Sequence, residues 1–366
     1  MMNSVVIGAG WHPRLFRMEA TQLLDSFETV HPHAIVCEQD QARRLAARSS
    51  LVSEVLNPAG IVSLDKAIET ISESFLSLNL QGSVAVKSTR TGNKIEGWSS
   101  RTIAGEIGGA LVEAGRIIDL TNPDITLRVH LLASSHPTVH PDDFVADPVV
   151  AWGITSYGGD DWAERTAPNR PFFKPISLDP KLARTMVNIA CPNGGRLLDP
   201  FCGTGGLIVE GILCGMDSFG SDLAWPMVTG TRENASWAQE RGGGGDFEIR
   251  NGSAVSLSEI WEGTFDGFAF DPPYGRNAWK SADGFELLEG ALSSCHSVAT
   301  EHANLVTLIP WSPTSIGEPI ESGMSFGKSW AEISAAFEVS GWEVLSTAPI
   351  RVHRSLARLL IHAVKK

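Results

Sequence analysis

No run of eighteen uncharged apolar residues occurs in the 366-residue sequence, and its first residues lack the basic segment, long apolar stretch and cleavage site of a secretory leader. A soluble, cytoplasmic protein is the expectation. Cysteine is sparse: Cys37, Cys191, Cys202, Cys214 and Cys295 are scattered, odd in number and never paired as C-x-x-C. That excludes a disulfide framework and a zinc site from the expected features, and no other metal is expected. Positive charge is also scarce. A net charge of −13 argues against sequence-blind attraction to polyanions, so a nucleic-acid partner needs a local basic surface. What the chain does have is length for two or three domains and 43% apolar residues, enough for at least one sizeable core.

Hydrophobic patterning divides the chain. Residues 1–65 carry short apolar runs at Val5–Ile7 and Ala34–Cys37 around a helix beginning at Pro13, a small α/β module. Residues 66–145 predict a helix over 64–78, a strand over 83–87, a Gly-rich helix over 103–114 and a strand over 125–132. A His-, Pro-, Ser- and Asp-rich stretch, 134–147, reads as a boundary loop, and residues 146–173 as a linker. From 174 to 366, short apolar runs alternate with helix-length segments, the pattern of a parallel sheet covered by helices. Strands are predicted over 196–198, 218–221, 247–250, 267–270 and 304–309. Runs over 342–349 and 356–363 suit a final antiparallel hairpin.

Two segments carry chemistry. In the first, Leu197-Leu198-Asp199-Pro200-Phe201-Cys202-Gly203-Thr204-Gly205-Gly206 ends a strand, turns through glycines and starts an apolar helix. Doubly wound sheets bind nucleotide-like ligands at such a turn. Asp222 closes the next predicted strand, where a carboxylate can accept from both ribose hydroxyls. A nicotinamide or flavin fingerprint needs glycine or alanine where Ile208 stands. Asp199 would sit beside a dinucleotide's pyrophosphate, whereas it can hold the ammonium of a methionine moiety. The combination favours S-adenosylmethionine. A similar start at Val6-Ile7-Gly8-Ala9-Gly10 has Pro13 in place of the third glycine and no second strand ending in an acid, and reads as a plain turn.

In the second segment, the apolar strand Phe265–Phe270 delivers Asp271-Pro272-Pro273-Tyr274-Gly275-Arg276 to the same sheet edge. Two prolines stiffen the loop. An aromatic amine such as guanine N2 has its lone pair delocalised into the ring and must be oriented to react. Asp271 and the Pro272 carbonyl can accept its two protons, and Tyr274 can stack on an extruded base. Cytosine C5 methylation would need a thiol nucleophile, and no cysteine lies near this loop.

DPFCGTGG at 199–206, SDLAW at 221–225 and DPPYGR at 271–276 resemble class I amino-methyltransferases. More closely, the chain resembles the archaeal and eukaryotic family that methylates N2 of guanosine 10 in tRNA and carries an RNA-binding THUMP domain. The THUMP-like stretch is Val84–Leu132, with Ser99-Ser100-Arg101 before its helix and the segment 118–124 before its last strand. The linker Arg170-Pro171-Phe172-Phe173-Lys174-Pro175, then Pro180–Arg184, Val187-Asn188 and His353-Arg354-Ser355-Leu356, looks similar too. One departure stands out. Such enzymes often place an Asp within Asn251-Gly252-Ser253-Ala254, and here Ser253 or a backbone carbonyl has to serve the adenine.

The fold class expected is α/β: a class I, Rossmann-like methyltransferase domain with a carboxyl-terminal antiparallel hairpin, preceded by small α/β amino-terminal and THUMP-like domains. The resemblance implies methyl transfer from S-adenosylmethionine to guanine N2 in tRNA, with a small activating protein as a further partner. Candidate catalytic residues are Asp271, Pro272 and Tyr274. Asp199, Phe201, Gly203, Gly205, Asp222 and Ser253 are assigned to the cofactor, and Pro273 and Arg276 to the substrate. Lys87, Arg90, Lys94 and Arg101 suit either phosphate binding or a solvated face, as do Arg165, Arg170 and Lys174 in the linker. Asp179 before Pro180 reads as a helix cap. Methylation at another tRNA or rRNA site, methylation of a DNA amine, and a non-catalytic RNA-binding protein remain open on these residues alone.

Overall fold

A computed structural model describes residues 3–9, 12–134, 146–159, 162–175, 177–273, 282–353 and 356–366. The chain divides near residue 160 into two compact units. The first runs β1 (Asn3–Gly8), α1 (Pro13–Leu23), β2 (Glu28–His31), β3 (Ala34–Glu38), α2 (Gln39–Arg48), β4 (Val52–Ser63), α3 (Ala67–Ser77), β5 (Val84–Thr91), α4 (Ser100–Glu113), β6 (Ile125–Leu132) and β7 (Val149–Gly158). Its strands form one sheet in the order β2-β3-β1-β4-β7-β6-β5, antiparallel except where β5 and β6 run parallel.

This differs from two separate modules followed by a linker. The first 65 residues share a sheet with the THUMP-like stretch, and residues 149–158 of the expected linker form β7 between β4 and β6. Strand β4 also went unpredicted, because Asn57, Pro58 and Gly60 interrupt its apolar pattern and proline removes a ladder donor. The ladder accommodates them by slipping register between Leu56 and Ala59. Alternation puts Val84, Val86, Leu127, Val129 and Leu131 against Ile71, Phe75, Ile103 and Ile107 of α3 and α4, all buried. On the opposite face, buried Glu54 accepts from Arg128 Nε at 2.9 Å and pairs with His130 Nε2 at 2.8 Å, so its burial is compensated. The four basic residues of 87–101 are exposed, but Lys87 and Arg90 are three apart on β5 and project from opposite faces, so they do not form one stripe.

The second unit contains α5 (Pro180–Ala190), β8 (Arg196–Asp199), α6 (Gly206–Leu213), β9 (Asp217–Asp222), α7 (Trp225–Glu240), β10 (Phe247–Asn251), α8 (Leu257–Ile260), β11 (Phe265–Phe270), α9 (Ala282–Ser297), β12 (Ala299–Trp311), the two-residue strands β13 (Met324–Ser325) and β14 (Lys328–Ser329), α10 (Trp330–Val339), β15 (Trp342–His353) and β16 (Leu356–Lys365). Its main sheet has the order β10-β9-β8-β11-β12-β16-β15. Strands β8 to β12 are parallel, and β16 pairs antiparallel with both β12 and β15, as the expected hairpin requires. Asp179 caps α5, accepting from Lys181 N at 2.9 Å, and Leu182, Met186 and Ile189 are buried. The aromatic side chains of Phe265, Phe268, Phe270 and Trp342 are fully buried among residues of α8, α9 and α10, each contributing roughly 1.5–3 kcal/mol by leaving water. Trp342 also donates Nε1–H to the Leu292 carbonyl at 3.0 Å, so its polar edge is satisfied.

Candidate active site

The order of strands reverses between β8 and β11, and ligands bind outside the carboxyl ends of the strands at such a switch point. Register places an acid at three neighbouring strand ends. Leu198 is level with Phe268, and Asp199 with Gly220. Asp222 and Asp271 therefore stand two residues further out, on opposite sides of Asp199. They share a cavity of about 500 Å³ with Phe201, Gly203, Ser253, Pro272 and Pro273, within the size range of small-molecule sites.

The glycine turn is built from its backbone outward. Gly203 (φ +50°) and Gly205 (φ +74°) adopt left-handed conformations, which disfavour a side chain. A Cβ on Gly205 would also lie 2.8 Å from Thr231 Cγ2. Asp199 accepts from Phe201 N at 3.0 Å, while Asp222 accepts from Gly203 N at 3.0 Å and from Ala224 N at 2.8 Å. The turn and the second acid thereby fix one another, leaving further carboxylate lone pairs for a ligand. Thr231 donates to the Gly203 carbonyl at 2.8 Å, and Asn234 donates to the carbonyls of Thr204 at 2.8 Å and Phe172 at 2.6 Å.

These two buried residues on α7 went unassigned in the sequence. Their spacing of three on a helix was the available signal, since it puts two polar side chains on one buried face. Gly230 completes that surface: a Cβ there would lie 2.1 Å from the Phe172 ring, so its absence lets the preceding segment dock. Lys174, Ser177, Leu223, Met227, Leu287 and Arg358 also line the cavity and were not assigned to it. Two linker arginines are turned inward, away from the phosphate-guiding or solubilising roles considered for them. Arg170 is buried, and Arg165 stacks 4.3 Å from the Trp162 ring and pairs with buried Glu210 at 3.3 Å.

The electrostatics favour a cation. Burial, with Asp222 and Asp271 nearby, holds the Asp199 carboxyl well above the usual carboxylate range. Burial likewise pushes Asp271 up to about 6, with Arg358 pulling it back. Among the described residues, Asp271 Oδ1 is shielded from solvent with no hydrogen-bond donor, although the Arg358 Nε lies 3.6 Å away. Three acids around one apolar-walled cavity, two of them disfavoured as anions, form a poor place for pyrophosphate and a good one for an ammonium or sulfonium. The residues present thus fit S-adenosylmethionine. Ser253 lines the cavity, its Oγ 3.4 Å from Val255 N and its carbonyl accepting from Ser256 N, which leaves the hydroxyl proton as its free polar contribution. Tyr274 and Arg276 lie outside the described residues, as does Arg354. Among the described residues, no group of three His, Cys, Asp or Glu is placed to hold a metal ion, and no helix is long and apolar enough to cross a membrane.

Residues 168–314 match the RMKL-like methyltransferase domain family, and residues 62–135 match the THUMP domain. A tRNA (guanine(10)-N2)-dimethyltransferase of Pyrococcus abyssi is 29% identical over 253 residues, covering 69% of this chain and 65% of the relative, just under two thirds. The enzyme of that name from Methanothermobacter thermautotrophicus is 33% identical over 262 residues, covering 71% of each chain. TrmN from Thermus thermophilus superimposes over the full length of both chains with a TM-score of 0.54 at 16% identity, a likeness of fold. With methyltransferase motifs at the switch point, a THUMP match before them and a third of the aligned residues shared with a named relative, the chain belongs to the tRNA (guanine(10)-N2)-dimethyltransferase family.

Proposed function

We propose that this protein transfers methyl groups from S-adenosylmethionine to the exocyclic N2 amine of a guanosine in tRNA, at position 10. The observation that carries the reading is the convergence of Asp199, Asp222 and Asp271 on one cavity at the switch point. Asp222 takes the ribose hydroxyls, Asp199 the ammonium, Leu223 and Ser253 the adenine, and Phe201, Gly203 and Gly205 shape the turn over which the ligand lies. Bound there, S-adenosylmethionine supplies an electrophilic methyl on a sulfonium. Asp271 and the Pro272 carbonyl accept the two amine hydrogens, turning the nitrogen lone pair toward the methyl, and Asp271 takes the proton released as the new N–C bond forms. Pro273 keeps the loop rigid, and Tyr274 and Arg276 hold the base and its phosphate. The THUMP-like residues 66–145 serve RNA binding, 174–366 catalysis. The reading goes with a cytoplasmic enzyme.

Its test is incubation with labelled cofactor and unmodified tRNA transcript, with the product nucleoside identified by mass spectrometry. N2,N2-dimethylguanosine is the expected end product. Calorimetry supplies a second check. Because burial, and then the neighbouring acids, disfavour the Asp199 anion until an ammonium arrives, cofactor binding releases a proton, and affinity rises with pH through the pKa of the free site. Binding enthalpies that do not vary with buffer ionisation enthalpy would remove Asp199 from the ammonium site.

A further inference from the structure

Arg358 belongs to the last hairpin, far in sequence from both motifs, yet its side chain lines the cavity. Strand β16 lies between β12 and β15, with Arg358 level with Pro310 and Ile350. From there the guanidinium reaches across the carboxyl-terminal part of β12 to the loop after β11, where its Nε stands 3.6 Å from Asp271 Oδ1. Both side chains are largely shielded, at 20% and 26% exposure. At such a site a full charge at ion-pair distance acts more strongly than it does in water. We propose that Arg358 is the positioning residue of the transfer step, holding Asp271 ionised and aimed at the amine.

Among the described residues, the other charges that face Asp271 leave this role to Arg358. Asp199 at the end of β8 and Asp222 at the end of β9 are acids and oppose the anion. Lys174, from the segment before α5, lines the same cavity but is exposed. The contribution of α9 to the lining is apolar Leu287. The separation of 3.6 Å is longer than a full hydrogen bond. Arg358 therefore steers the carboxylate by charge while leaving its lone pairs to the amine, which a tight bidentate pair would consume.

The inference rests on the proposed methyl transfer, and two readouts separate its failure from that of the transfer reading. In Arg358→Gln the acid limb of the kcat profile moves to higher pH by about one unit, the shift an opposite charge at this range produces. At pH 5.5 kcat falls by about eightfold and recovers toward pH 8.5, KM for tRNA changes by less than about threefold, and Arg358→Lys restores most of the limb. An unmoved limb, or a loss confined to KM, would overturn the proposal, the latter marking Arg358 as an RNA contact. The Asp271 carboxyl 13C resonance, assigned by its disappearance in Asp271→Asn, reads the link without turnover. Its titration midpoint rises in Arg358→Gln on our account; an unchanged midpoint contradicts it, whether or not the wild-type protein methylates tRNA.

Discussion

Asp271→Asn leaves the S-adenosylmethionine Kd within about threefold of wild type and lowers kcat by about 10²–10⁴-fold, the range lost when one positioned proton acceptor is removed. The amide keeps the shape of the carboxylate and one acceptor oxygen, but it is not a base, so the amine can still be held while its released proton has no acceptor. The same change stabilises the fold. Asp271 is raised by burial to about 6, above its ordinary 3.8, so ionisation costs native stability at neutral pH. That cost is absent below about pH 4, grows between pH 4 and 6 and is complete above pH 6. Two units, with the pull of Arg358 already included, correspond to roughly 3 kcal/mol at most, reduced to about 1–2 kcal/mol by residual solvent. Thermal melting at pH 7.5 thus shows Asp271→Asn unfolding at the wild-type temperature or a few degrees above it. Full activity in the variant would remove Asp271 from the transfer step, and a large fall in Tm would mark it as a structural residue.

Asp222→Ala produces the complementary loss. Its carboxylate accepts from Gly203 N and Ala224 N and, on our reading, from the ribose hydroxyls. Charge-assisted hydrogen bonds contribute about 1.5–3 kcal/mol each. A loss worth one such bond to the cofactor weakens S-adenosylmethionine binding by about 10–150-fold, measured by calorimetry, whereas kcat at saturating cofactor changes by less than about fivefold. An unchanged Kd would take Asp222 out of the ribose site.

Most of the second unit was legible because its signals are local. Each parallel strand is a short apolar run, and a glycine turn or a proline-stiffened acidic loop marks where two of them end. Asp199, Asp222 and Asp271 could be placed on one edge before their distances were known, because the carboxyl ends of parallel strands lie together. Asn234, Thr231 and Arg358 could not, since each acts across a gap of 28 to 87 residues that only tertiary packing closes. The first unit was harder for another reason. Its central strand β4 is broken by Pro58, and β7 lies beyond the boundary loop, so its sheet is assembled from pieces that propensity alone separates. The inward turn of Arg165 and Arg170 has the same origin. An arginine in a Pro-rich stretch reads as exposed until a buried partner such as Glu210 is found a helix away.

The central claim is tested most directly by offering the protein two tRNA transcripts, one with guanosine at position 10 and one with inosine there, alongside labelled S-adenosylmethionine. Inosine keeps the purine ring and its carbonyl and lacks only the N2 amine. Our account predicts N2,N2-dimethylguanosine from the first transcript and no label in the second. Equal labelling of both would place the methyl elsewhere in the RNA and contradict the assignment of Asp271 and Pro272 to that amine.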